Sequence, residues 1–334
     1  MRGALIGFGA VAENAHAPAW KALPDFEIAA IAEATASRRE AAQKHFPKAK
    51  LYASPEELLK KERRIDFVDI ATPPHMHAAQ VGAALKAGRH VICEKPLVLR
   101  RKDLTPLKAA AARHNKVLFT VHNWKYAPLF QKLRELLDRG TIGVVHHAEW
   151  HVLRTKPAAV AGTNGGNWRT DRKRSGGGIL IDHGWHAFYL LHWLLGGPHE
   201  SVRAALKPTA GRATEEEATC LLRYPKASAV VHLSWNAPRR DHWGVFYGRK
   251  GAIELQDDRL LVRQGTQPPQ SYVFPEPLSR GSAHPEWFRG ALGEFREAVE
   301  KPAARQRNLK EAADCIAVIE RIYRPSRAKA AARV

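Results

Sequence analysis

Short apolar runs alternate with longer mixed segments through the first third of the chain. Ala4-Leu5-Ile6 and residues 27–32, 67–71, 91–93 and 117–121 are too short for buried helices, and most are too continuously apolar for strands with one wet face. They read as buried strands of a parallel sheet. The segments between them carry helical patterns or helix-start signals: 13–23, 37–46, the stretch opened by Ser54-Pro55-Glu56-Glu57, 78–87 and 102–114. This βα alternation predicts an α/β fold whose first domain, 1–122, is a doubly wound parallel sheet of Rossmann type.

After residue 122 the pattern changes. Apolar and polar positions now alternate over 144–152, 201–206, 218–224, 229–235, 243–247, 252–255, 260–263 and 271–274. That is the period of antiparallel strands lying with one face on a core. Helical patterns cover 129–139, 289–300 and 309–323, and one long helical segment is entered through Ser175-Gly176-Gly177-Gly178. The expectation is a second, α+β domain, 123–323, with a large open and mostly antiparallel sheet, followed by an unstructured basic tail, 324–334.

Composition narrows the class. A chain of 334 residues suits two cores better than one, and 45% hydrophobic with 26% charged residues is ordinary for a soluble globular protein. The longest apolar stretches, such as 188–195 with its His192, fall short of a membrane span, and no secretory pattern follows Met1, so a cytoplasmic location is expected. Cys93, Cys220 and Cys315 lie far apart without metal-ligand spacing, which reads as reduced thiols and no metal site. The net charge of +20 raises nucleic acid as a partner. Its basic clusters are dispersed, however (60–64, 100–102, 169–174, 239–240, 324–333), and aromatic residues do not interleave with them as a single-strand platform requires. A solvated basic surface is the better reading, with some attraction for an anionic substrate.

Candidate chemistry gathers at the ends of the apolar runs. Gly7-Phe8-Gly9-Ala10-Val11-Ala12 is a GxGxxA turn between the first strand and the first helix, the arrangement that brings backbone N–H groups to a pyrophosphate. Glu33 ends the second strand about 20 residues on, where an acid takes ribose hydroxyls and favours NAD over NADP. Arg38 and Arg39 follow closely enough to pair with a 2′-phosphate, which keeps NADP open. Thr72-Pro73-Pro74-His75-Met76-His77 is a Pro-stiffened loop at the ligand edge. Val91-Ile92-Cys93 delivers Glu94-Lys95-Pro96 to the same edge, and a cis Lys-Pro bond would fix where the ammonium points. Asp182 and His186, four apart, share one face if the segment is a single helix.

Together these motifs resemble the GFO/IDH/MocA oxidoreductases, the family of glucose-fructose oxidoreductase and inositol dehydrogenase. The resemblance rests on Gly7-x-Gly9-x-x-Ala12, Thr72-Pro73 with His77, Ala87-Gly88-x-His90-Val91-x-x-Glu94-Lys95-Pro96, Asn123 before Tyr126-x-Pro128, and Gly176-Gly177-Gly178 with Asp182-x-x-x-His186, and spans residues 1 to about 323. It implies a nicotinamide-dependent oxidoreductase acting on a sugar, polyol or sugar derivative, with Lys95, Asp182 and His186 around the reacting carbon. His186 is the expected acid/base, Lys95 the alkoxide stabiliser, and Asp182 the group that orients substrate hydroxyls. Phe8, Ala10, Val11, Glu33, Arg38, Thr72, Pro73, His77, Glu94 and Lys95 join the glycines on the cofactor side; Asn123, Lys125 and Arg169 join Lys95, Asp182 and His186 on the substrate side. Lys125 stands where family members often carry Arg, which puts a bidentate substrate contact in doubt. His183 reads as structural or near the cofactor, and His284 and Trp287 as packing. The open sheet implies a homodimer or homotetramer. Two alternatives use the same fold: an NAD-dependent glycoside hydrolase, and a non-catalytic dinucleotide sensor.

Overall fold

The computed structural model describes residues 1–159, 166–209, 211, 213–281 and 284–331, with side chains through 324. The chain divides into two compact units. The first holds residues 1–123 together with 284–313; the second holds 124–159, 167–281 and the end of the chain from Asp314. An unbroken second domain over 123–323 is therefore not what forms, because a C-terminal segment returns to complete the first unit.

In the first unit, β1 (Arg2–Ile6), β2 (Glu27–Ala32), β3 (Lys50–Tyr52), β4 (Phe67–Ile70), β5 (His90–Cys93) and β6 (Leu118–Thr120) form one six-stranded sheet in the order β3-β2-β1-β4-β5-β6. Every pairing is parallel. The order reverses between β1 and β4, and such reversals open a crevice at the carboxyl ends of the strands. The apolar pattern marks five of the six strands; β3, a three-residue edge strand, carries too little hydrophobicity to register.

The returning segment explains why the first unit is closed. Phe295 on the helix Pro285–Glu300 meets Phe67 at 5.8 Å and Phe119 at 5.9 Å between ring centres, edge-on in both cases. Asn308 then caps the open edge of β6: its Oδ1 accepts the Thr120 N–H at 2.7 Å and its Nδ2 donates to the Thr120 carbonyl at 2.9 Å. An amide side chain thus supplies what a seventh strand would have supplied. His284 and Trp287 are buried with their rings stacked at 3.5 Å, as packing residues.

In the second unit, β7 (Val145–Leu153), β8 (Ser201–Pro208), β9 (Glu215–Arg223), β10 (Ser228–Ser234), β11 (Asp241–Gly248), β12 (Gly251–Gln256), β13 (Arg259–Arg263) and β14 (Gln270–Val273) form an eight-stranded sheet, β14-β13-β12-β11-β7-β10-β9-β8. All pairs are antiparallel except β7 with β10. Ala148, Trp150 and Val152 of β7 point to the core face, while Glu149 and His151 between them are only half-buried, which is the predicted period.

Three local expectations are corrected. The first helix, read over 13–23, is a π-helical turn, Ala12–His16, leading into an α-helix, Ala17–Lys21. The long helical segment is two helices, Ile179–Asp182 and Gly184–Leu194, joined at His183; Gly184, a poor helix former, sits at the joint. Asp182 and His186 consequently lie on successive helices rather than on one. The tail is not free of structure either: the last helix runs Arg305–Ala331, through a stretch rich in the helix formers Ala, Arg and Lys, and only 332–334 fall outside the described residues. No helix among the described residues is long and apolar enough to cross a membrane.

Candidate active site

Gly7 occupies φ +86°, and a Cβ there would lie 2.7 Å from Thr72 Cγ2 and 3.0 Å from the Ala71 carbonyl oxygen, so the first turn has room for hydrogen alone. Above Gly9 the situation is opposite: a Cβ would meet nothing within 4 Å. The Glu33 carboxylate, at the end of β2, is locked to this turn, accepting the Phe8 N–H at 2.7 Å and the Thr35 N–H at 2.8 Å. Arg39 donates to the Glu33 and Ala34 carbonyls, and Arg38 pairs with Glu13 at 3.1 Å. Open space over the second glycine, a helix start just beyond it and an acid on the adjacent strand end fit a dinucleotide. Gly7, Phe8, Gly9, Ala10, Val11 and Glu33 would hold it.

The next strand ends carry the remaining cofactor-side residues. Thr72 donates its hydroxyl to Gln80 at 2.6 Å, and Pro73 caps the helix Pro74–Lys86. His77, assigned to the cofactor by the sequence, is instead fully buried. Its ring nitrogens lie 2.8 Å from the carbonyls of Pro96 and Thr72, so it braces two strand ends. The Lys95-Pro96 peptide is cis. Glu94 hangs from β4 by its N–H on the Ile70 carbonyl, and its Oε2 accepts the Lys95 N–H at 3.0 Å. Its Oε1 meets His16 at 3.1 Å. His16 falls inside a helical pattern and carries no motif of its own; the signal that leads to it is Asp69, the lone acid in the buried run Phe67-Val68-Asp69-Ile70, since a buried carboxylate needs a partner.

In the second unit, Asp182 lies 3.7 Å from Arg169 Nε and 3.9 Å from His183 Nε2. Arg169 in turn lies over the Trp168 ring at 4.3 Å. The guanidinium expected to reach substrate thus also faces the carboxylate expected to orient it. Arg154, a second missed residue, is buried at the end of β7 and donates to the Leu153 and Asp241 carbonyls; burial lowers its pKa to about 10. His186 is 8% exposed, stacks on Trp124 at 4.9 Å, and places Nδ1 3.0 Å from the Tyr189 hydroxyl. That hydroxyl accepts the Trp124 N–H at 3.1 Å. Lys125, on the short 3-10 turn Asn123–Tyr126, is buried.

The glycine run has a structural cause. A Cβ at Gly178 would overlap the Glu215 carbonyl. The Glu215 carboxylate accepts N–H bonds from Gly178 at 2.9 Å and Leu180 at 3.0 Å, plus the Tyr323 hydroxyl at 2.8 Å, and so caps the helix that ends in Asp182. Burial raises the Glu215 pKa against the pull of those donors. Read as sequence, Glu215-Glu216-Glu217 is an ordinary charged run, and nothing in it singles out the first acid.

Comparison with known proteins follows the same division. Residues 1–122 match the family described as "Oxidoreductase family, NAD-binding Rossmann fold", and residues 130–254 match "GFO/IDH/MocA C-terminal domain". An uncharacterized oxidoreductase of Schizosaccharomyces pombe is 34% identical over 206 residues, 61% of this chain and 54% of that protein. The chain thus spans about half the length of that relative. A protein named D-apiose dehydrogenase, from Paraburkholderia graminis, is 30% identical over 298 residues, 84% of this chain and 74% of the relative. Among solved structures, an oxidoreductase from Thermotoga maritima superposes with a TM-score of 0.82 at 22% identity, covering 97% of this chain and 96% of its own, a likeness of fold.

Proposed function

The chain belongs to the GFO/IDH/MocA oxidoreductases, and on that premise we propose that it exchanges a hydride between NAD and a secondary alcohol carbon of a sugar or polyol. The observation that carries this reading is the placement of Lys95 directly after β5, in the sheet whose first strand ends in the Gly7 turn. The bound dinucleotide supplies the hydride acceptor or donor. Lys95 brings a cation to the substrate oxygen and stabilises charge developing there. His186 takes or returns the hydroxyl proton at Nε2, and Tyr189 accepts from Nδ1–H in the tautomer that leaves Nε2 basic. Asp182, held by Arg169, orients neighbouring hydroxyls. The basic character of the chain gives some attraction for anionic substrates, and sugar acids belong in any panel.

The test is reduced-nicotinamide absorbance with inositols, aldoses, aldonic acids and glycosides, using NAD and NADP in parallel. Turnover of one polyol class, with NAD preferred and the preference narrowed by Glu33→Gln, supports the reading. Release of free sugar without reduced cofactor supports the hydrolase, and tight dinucleotide binding with no turnover supports the sensor; either sinks the dehydrogenase. We further propose a homo-oligomer joined through the second unit's sheet, where Leu221 and Val273 are 51% and 67% exposed. Light scattering that gives a monomer at micromolar concentration would refute it.

A further inference from the structure

His16 is an imidazole of the first unit set between two carboxylates, and its placement comes from an irregular helix start. Ala17 N–H bonds to the Ala12 carbonyl, closing the five-residue π turn. The ring is 1% exposed and lies flat on Phe288, 3.8 Å between centres at 8°. Nδ1 stands 2.9 Å and 3.2 Å from the two Asp69 oxygens, and Nε2 stands 3.1 Å from Glu94 Oε1. A neutral imidazole has one N–H and would turn a lone pair toward one of these carboxylates. Although burial lowers the ring's pKa, Asp69 and Glu94 outweigh it and carry it to about 10.

The ends of this array say what it does. Asp69 also accepts the Trp20 indole N–H at 2.7 Å, and an indole cannot pass a proton onward at neutral pH. At the other end Glu94 Oε2 holds the Lys95 N–H. The array is therefore a dead end for proton transfer at Trp20 and a fixed anchor at Lys95.

We propose that His16 is a positioning residue: as an imidazolium clamped between Asp69 and Glu94, it fixes the Glu94 carboxylate and, through it, the peptide that presents Lys95 to the substrate oxygen. The inference rests on the hydride-transfer reading above. The test uses the full chain carrying His16→Gln, Glu94→Gln, and both together, with kcat per dinucleotide-binding site, KM, dinucleotide Kd and the substrate deuterium isotope effect. A misplaced ammonium is expected to lower kcat about 10- to 100-fold in His16→Gln, with KM and Kd nearly unchanged and a larger isotope effect. Because both residues act through one path, the double variant is expected to lose no more than the worse single. Nitrogen-15 spectra of the wild type are expected to show both His16 nitrogens protonated at pH 8.

A structural role alone would lower the fraction of binding sites, leave the isotope effect unmoved, and give additive losses with Glu94→Gln. That result, or a neutral His16 ring at pH 8, overturns the proposal. A wild type that turns over no polyol fails the function reading instead, before any variant is compared.

Discussion

Replacing His186 with alanine is expected to lower kcat by about 100- to 10,000-fold while dinucleotide affinity stays within about threefold of wild type. The range follows from removing the group that moves the hydroxyl proton while leaving the Gly7 turn and Glu33 intact. Its neighbours sharpen the expectation. Tyr189 meets Nδ1 at 3.0 Å and is itself held by the Trp124 N–H, so Tyr189→Phe frees the ring's orientation without removing the base. That variant is expected to lose less, about tenfold. His186→Ala is also expected to abolish whichever limb of the wild-type pH–rate profile reports the catalytic base, measured as kcat/KM from pH 5 to 10. A kcat within about threefold of wild type would remove His186 from the chemistry and leave Lys95 as the proton-transfer candidate.

The second large effect is on stability. In the folded protein His16 titrates near 10 against an ordinary 6.5, so the native state holds a proton that the unfolded chain releases between those values. The His16 contribution is therefore complete below pH 6.5, declines as pH rises, and is gone above about 10. The loss amounts to at most about 1.4 kcal/mol for each pH unit crossed. His90 works in the opposite direction: burial and the nearby cations Lys116 and Arg305 depress it to about 4, so its stabilisation is present above 6.5 and falls away as pH drops toward 4. Urea unfolding from pH 5 to 10 is expected to peak near neutrality and fall on the alkaline side. His16→Gln is expected to be less stable at pH 7 and to flatten that alkaline slope. An unchanged slope in the variant would mean that the imidazolium is not what the two carboxylates are built around.

Much of this is legible in the sequence alone, and the illegible parts share a cause. The GxGxxA turn, the run ending in Glu94-Lys95-Pro96 and the alternation of the second half depend on local spacing, and each falls where its pattern places it. The π turn at Ala12–His16 does not announce itself, since an ordinary α-helix fits the same residues and only burial against Asp69 and Phe288 decides otherwise. His77 illustrates a different failure. A histidine in a ligand-edge loop is a fair cofactor candidate until both nitrogens are found on carbonyls. Glu215 lies in a run of three acids, and nothing short of the Gly178, Leu180 and Tyr323 contacts separates the buried one from its neighbours. Periodicity also cannot say which sheet a helix joins, so the return of Phe288, Phe295 and Asn308 to the first unit is invisible in sequence.

That return sets an order of events during synthesis. All six strands of the first sheet have left the ribosome long before Phe295, which meets Phe67 and Phe119, or Asn308, which closes the edge at Thr120. Until then the nascent sheet has an apolar face without its cover and an edge open to other strands. The part of the protein that is made first is closed only after nearly all of the second sheet's unit has also been made.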